Sequence, residues 1–281
     1  MKLLPIFVFS VLLLSCNQKK KENISENSRK ADTTKVIPVE TDGGIGDGAT
    51  SITDLHINTI ETAHKKEQFL KHKIVSFMID LSFGGKERLK GKITMFTNST
   101  KIRIDKNDGT KLIYTGDTSY LCPAEANDKG ARFDMFTWSY FFGFPYKLSD
   151  SGTNWEMQQD RILDKVVHST AKLTFDEGVG DAPKDWYIVY TDPETQLTQA
   201  AAYIVTLGKD ISKAEEDPHM IQYKEFTSVN GIPMSTKWEF YGWTSEKGKT
   251  EKIGEATISD ITFLEDESDL FEKPANSKVI N

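Results

Sequence analysis

Trp186-Tyr187-Ile188-Val189-Tyr190-Thr191-Asp192-Pro193-Glu194-Thr195 reads as a strand running into a turn. Aromatic and β-branched residues fill the first six positions, and Asp-Pro-Glu-Thr supplies turn chemistry: a fixed proline φ beside a side chain that bonds its own backbone. Side chains alternate across a strand, so Trp186, Ile188 and Tyr190 share one face while Tyr187 and Val189 share the other. Both faces are apolar. A sheet wet on one side is not built that way, so something covers or fills its second face.

The same period of two recurs on either side of this segment. Val75, Phe77, Ile79, Leu81 and Phe83 alternate with more polar partners. Further strands are predicted at 92–97, 101–105, 111–114, 166–175, 197–207, 222–229, 234–243 and 255–264. Asn107-Asp108-Gly109 and Asn230-Gly231 join neighbours as hairpin turns. There is no βαβ rhythm, so the sheet is expected to be mostly antiparallel. Before the strands, Ile52, Leu55, Ile60, Ala63 and Leu70 recur at helical spacing and predict one amphipathic helix over 52–71, with Asp54 as its cap.

Residues 133–146 hold eight aromatics in fourteen positions: Phe133, Phe136, Trp138, Tyr140, Phe141, Phe142, Phe144 and Tyr146. Gly143 and Pro145 limit a helix here to about three turns. One short helix cannot turn so many rings toward one core face, so some must meet another surface. Two readings stay open: a plug whose rings all join the core, or a mobile lid over an apolar cavity. On the second reading Phe136, Trp138, Tyr140, Phe141, Phe142 and Phe144, with Trp186, Ile188 and Tyr190 from the strand, are candidate ligand-binding residues.

The N-terminus has a different character. Lys2 gives a positive head, and residues 3–14 form an apolar stretch too short to cross the roughly 30 Å hydrocarbon core as a helix. Leu13-Leu14-Ser15-Cys16 ends it. This resembles the lipobox of bacterial lipoproteins, which implies a signal peptide at 1–15 and lipidation of Cys16. Several acyl chains on one residue hold a protein to a membrane lastingly. Asn17, where an Asp would mark inner-membrane retention, leans toward the outer membrane. Residues 17–51 are polar and charged, cannot offset their chain entropy by burial, and read as a tether spanning roughly 30–35 Å. Gly43-Gly44-Ile45-Gly46-Asp47-Gly48 lies in that tract with no strand before it, so it reads as linker rather than phosphate loop. Residues 52–281 are left for one folded domain.

Composition bounds the function. Hydrophobic residues at 38% and charged residues at 27% of 281 describe a globular chain. A net charge of −7 argues against nucleic acid, which needs a basic face. Two cysteines, Cys16 and Cys122, allow no disulfide once Cys16 carries lipid, and no cysteine zinc site. His56, His64 and His72 are eight apart and share no helix face, and His168 falls on the more polar face of its strand. No metal site or cofactor is expected. Asp105-Lys106-Asn107-Asp108-Gly109 departs from a calcium loop, 265–269 reads as a solvated acidic run, and Cys122 has no adjacent base to activate it. No nucleophile elbow or Walker loop is present, and no catalytic constellation emerges.

The order of these parts resembles the lipoprotein-localisation (Lol) carrier superfamily over roughly residues 52–275. Ile60-Glu61-Thr62-Ala63-His64, the 186–195 hairpin, Asn230-Gly231-Ile232-Pro233 and Leu270-Phe271-Glu272-Lys273-Pro274 are similar to segments of uncharacterised envelope lipoproteins of that group. Lys65 stands where those relatives commonly carry Gly. The resemblance implies an α+β, mostly β fold. It would be a single strongly curved antiparallel half-barrel, with the N-terminal helix and the short aromatic helix on its concave side. It also implies an acyl chain or other hydrophobic ligand in a cavity between sheet and helices, with no enzymatic activity. A surface glycan- or protein-binding module is the alternative. It would use Trp138, Trp155, Trp186, Trp238 and Trp243 as a stacking platform.

Overall fold

Alternation of apolar residues becomes sheet wherever neighbouring strands share it. In this computed structural model the described residues are 50–265 and 267–280. The stretches read as signal peptide and tether, with Cys16 and the Gly43–Gly48 run, fall within residues 1–49 and lie outside them. Thirteen strands form one sheet: β1 Ile74–Phe83, β2 Lys86–Phe96, β3 Ile102–Lys106, β4 Lys111–Tyr114, β5 Ser119–Cys122, β6 Thr153–Leu163, β7 Val166–Phe175, β8 Tyr187–Thr191, β9 Thr198–Tyr203, β10 His219–Val229, β11 Ile232–Thr244, β12 Gly248–Leu264 and β13 Lys278–Val279. All neighbours are antiparallel, in the order β13-β5-β4-β3-β2-β1-β12-β11-β10-β9-β8-β7-β6. The sheet curves as a half-barrel and does not close. Strands β5, β6 and β13 were not expected from the sequence.

This order is two meanders joined where β1 pairs with β12. The chain leaves the first meander at β5 and enters the second at β6, almost the full width of the sheet away. The helix α3, Ala131–Gly143, and a 3-10 turn, Phe144–Tyr146, lie in that crossover. Position follows from topology: a segment that must travel between the two ends of a curved sheet runs across its inner face.

The inner face carries the main core. Val75, Phe77, Ile79 and Leu81 of β1 are buried with Ile93, Trp238, Phe240 and Ile258 from neighbouring strands. Tyr187 and Val189 of β8 join them. The other side of β8 is covered differently. Ile188 and Tyr190 cluster with Ala200, Ala202, Met220, Tyr241 and Trp243, and Leu163 from the tip of the β6–β7 hairpin sits among them. Asp164 at that tip accepts hydrogen bonds from Gln222 and Lys249, and Arg161 donates to the Ser245 carbonyl while lying 5.2 Å from the Trp243 ring. The edge hairpin thus folds back over the outer face of β8–β11. His168, expected on a polar face, is only 3% exposed, because this fold-back turns it toward the Tyr190 ring.

The N-terminal helix differs from expectation in three ways. It is two helices, α1 Ile52–Ala63 and α2 Lys66–Lys71. Its cap is Ser51, whose hydroxyl accepts from the Asp54 N–H while the Asp54 carboxylate accepts from the Ser51 N–H, a closed capping box. Its buried face is Ile57, Ile60, Glu61 and His64, whereas Ile52 and Leu55 are exposed. Lys65 sits at φ 58, a left-handed conformation that breaks the helix and that glycine adopts without steric cost. Replacing Lys65 with Gly should therefore raise stability by about 0.5–1 kcal/mol. Urea unfolding of the two proteins checks this; an equal or lower midpoint for Lys65→Gly would contradict it.

Candidate functional site

The crossover helix α3 divides its rings between two faces. Met135, Trp138 and Phe142 point to the sheet, where Phe142 stacks on Phe77 at 4.0 Å and Trp138 meets Phe240 at 5.9 Å. Arg132, Phe133, Phe136, Thr137, Tyr140 and Phe141 recur at intervals of three, four and one, which lines the opposite face. A buried anchor fixes this choice. Asp134, 1% exposed, accepts from Arg88 at 2.9 Å, Lys106 at 2.9 Å and the Trp138 indole at 2.9 Å, tying the helix to β2 and β3. A carboxylate taken from water is tolerated only when paired and hydrogen-bonded in this way.

Between that opposite face and the two ends of the sheet lies a cavity of about 800 Å³. From one end come Ile102, Tyr114, Ser119 and the C-terminal Val279 and Ile280; from the other come Phe175, Tyr187 and Tyr203, with Val179, Val205 and Leu207 from loops. The rings interlock around it. Tyr114 meets Phe136 edge-on at 5.2 Å, Tyr140 lies 5.6 Å from Tyr187, and Phe141 lies 5.0 Å from Tyr203. Burial raises the pKa of the Tyr140, Tyr187 and Tyr203 hydroxyls, with nearby Asp185 adding to the effect in each case. All three stay neutral donors at physiological pH.

The nine sequence candidates separate cleanly. Phe136, Tyr140 and Phe141 line the cavity. Trp138, Phe142 and Phe144 are buried in the main core and do not line it. Trp186, Ile188 and Tyr190 are on the outer face, away from the cavity; the fold-back hairpin packs on Ile188 and Tyr190, and Trp186 meets Trp243 at 6.0 Å. The expected strand is present, and it is Tyr187, on its other face, that lines the cavity. Phe133, Phe175, Tyr187, Tyr203 and Asp185 were missed. Strand parity held a signal for two of them, since Tyr187 and Tyr203 stand directly opposite each other in β8 and β9.

Among the described residues no three His, Cys, Asp or Glu side chains gather as a metal site would require. Cys122 is a free, half-buried thiol.

With the architecture and cavity in view, comparison with known proteins is informative. A LolA superfamily protein from Nitrosomonas europaea matches with a TM-score of 0.50 at 9% identity, over 79% of this chain and 99% of that one. The fold is LolA-like. Lower-scoring matches include a domain named for outer-membrane lipoprotein sorting from Vibrio parahaemolyticus (TM-score 0.45, 10% identity, 76% of this chain and 97% of that one). A DUF1329 family protein from Desulfovibrio piger follows (TM-score 0.41, 13% identity, 75% and 92%). Residues 127–256 match a family of unknown function, DUF6503. No curated protein shows a significant sequence match.

Polar contacts as well as apolar ones hold α1 in place. Glu61 accepts from the Ser149 N–H at 2.7 Å and from Lys66 at 2.8 Å. His64, 1% exposed, accepts the Thr198 N–H at its Nε2, 2.8 Å away, so its proton is on Nδ1. Among the described residues that Nδ1 and the Thr198 hydroxyl have no partner, and His64 borders a small cavity of about 20 Å³, enough for one water. Burial pushes the His64 pKa down to about 3. A histidine whose folded pKa lies below its unfolded value stabilises fully above pH 6.5, and that contribution is lost as pH falls from 6.5 toward 3. In that window the loss is about 1.4 kcal/mol per pH unit. His64→Gln keeps an acceptor without the titration, so its stability should fall less steeply from pH 6.5 to 4 in urea titrations; parallel slopes would contradict the assignment.

Proposed function

We propose that this domain holds an acyl chain or another hydrophobic ligand in the cavity beneath α3, and that it carries the ligand without altering it. The observation that carries this reading is the cavity itself: about 800 Å³, with Phe133, Phe136, Phe141, Phe175, Tyr187, Tyr203 and aliphatic side chains forming the apolar part of its wall, on a LolA-like fold. Small-molecule sites fall at roughly 300–1,000 Å³ and combine apolar walls with polar groups that fix orientation. Apolar area removed from water contributes about 25 cal/mol per Å², so a flexible chain needs only such a wall to bind. The lipobox-like Leu13-Leu14-Ser15-Cys16 supports placement of the domain at the cell envelope on a lipid anchor, on the outer-membrane side. An aqueous-facing domain tethered near lipid is well placed to take up such a ligand.

The glycan- or protein-binding alternative rested on a tryptophan platform. Trp138, Trp238 and Trp243 are each 4% exposed or less, and only Trp155 and Trp186 reach solvent in part. Stacking on sugars needs exposed ring faces, so a platform of all five tryptophans is not supported.

Thr137 lies on the cavity side of α3. Thr137→Trp should fill the space and weaken binding of a neutral apolar fluorescent dye at least tenfold, with an unchanged far-ultraviolet circular dichroism spectrum. Unaltered dye affinity in the folded variant would place the binding elsewhere.

A further inference from the structure

The cavity wall is not electrically balanced. Asp117, Asp150, Asp181 and Asp185 line it against only Arg132 and Lys147. Both cations are already engaged. Arg132 is paired with Asp181 and lies 5.2 Å from the Phe136 ring, and Lys147 donates to Asp150 at 2.5 Å. Among the described residues, the remaining two carboxylates, Asp117 and Asp185, have no cation paired to them. Asp117 accepts from the Thr115 hydroxyl at 2.6 Å and is open to solvent. Asp185 is more enclosed, and burial raises its pKa.

Asp185 uses one oxygen for structure. Its Oδ1 accepts both the Thr206 N–H and the Thr206 hydroxyl, each at 2.7 Å; no group among the described residues donates to its Oδ2. Tyr140, Tyr187 and Tyr203 line the same cavity, with Tyr187 and Tyr203 each 6% exposed and their rings 6.1 Å apart. Among the described residues none of the three hydroxyls has a hydrogen-bond partner, and none is sealed from open space; they face the cavity. Tyrosine rings and hydroxyls on the same cavity wall as a free carboxylate oxygen match the chemistry that holds alkylammonium groups. It repels an anionic end, because every nearby positive charge is spoken for.

We propose that the polar end of the ligand is a cationic nitrogen, an alkylammonium or quaternary ammonium group, seated among Tyr140, Tyr187 and Tyr203 against Asp185. This rests on the cavity being the ligand site, and it adds the class of ligand. The apolar tail then runs along Phe136, Phe133 and the aliphatic residues at the C-terminal edge.

The test uses the full chain at pH 7.5 and three probes with the same twelve-carbon tail: dodecyltrimethylammonium, dodecanol and dodecanoate. Each is titrated calorimetrically below its micelle-forming concentration. The expected order is dodecyltrimethylammonium, dodecanol, dodecanoate, with the cation about tenfold tighter than the alcohol. Asp185→Asn retains an oxygen for Thr206 and should bring the cation-to-alcohol ratio to near one, and Tyr140→Leu, at a half-buried position, should lower the same ratio. If dodecanol binds and the cation has no advantage, or if Asp185→Asn keeps the advantage, the charge inference is overturned while the apolar cavity stands. If no probe binds, both fall.

Discussion

A sheet whose strands are apolar on both sides must be covered on both sides, and this constraint organises the whole domain. β8 shows it most sharply, since all five of its residues are buried. Each large side chain fully withdrawn from water contributes about 1.5–3 kcal/mol, so leaving either face of β8–β11 open would forfeit several of these terms at once. The inner face is covered by α1, α2 and α3. The outer face is covered by the sheet's own edge, as the β6–β7 hairpin bends back to place Leu163 among Tyr190, Met220 and Trp243. One consequence is that the edge hairpin is locked to the middle of the sheet through Asp164, Lys249 and Gln222.

The cavity follows from the same geometry. The crossover from β5 to β6 must pass over the inner face, and its helix can pack only one side against the sheet centre. Asp134 decides which side that is by fixing the N-terminal turn to Arg88 and Lys106. The remaining side of α3 looks toward the gap between the two ends of an open sheet. A closed barrel would fill that gap with strands; here it is lined by rings that meet one another across about 5–6 Å.

Much of this fold could be read from alternation and turn chemistry, because those signals are local. The paired strands around Asn230-Gly231 and Asp192-Pro193 appear where expected. β6 escaped notice because it is an edge strand, Thr-Asn-Trp-Glu-Met-Gln-Gln-Asp-Arg-Ile-Leu, whose residues are mostly exposed and so carry no apolar period. β5 and β13 are too short to show one. The apolar covering of both faces of β8 was foreseeable, but which face looked inward was not: Trp186-Ile188-Tyr190 and Tyr187-Val189 are equally apolar, and only the long-range fold-back of a polar hairpin distinguishes them. Likewise the density of rings at 133–146 marked the site, yet the division of α3 depends on Asp134 finding partners in strands some thirty to fifty residues earlier. Asp185 gave no local signal at all, since its surroundings come from α3, β8 and β9 together.

The account stands or falls on where an alkyl chain sits. A crystal structure of the full chain grown with 12-bromododecanol measures this directly through the anomalous scattering of bromine. The account predicts a bromine peak inside the cavity between Phe136, Tyr187 and Tyr203. A peak confined to the outer face of the sheet, or no ordered peak at saturating ligand, would contradict it.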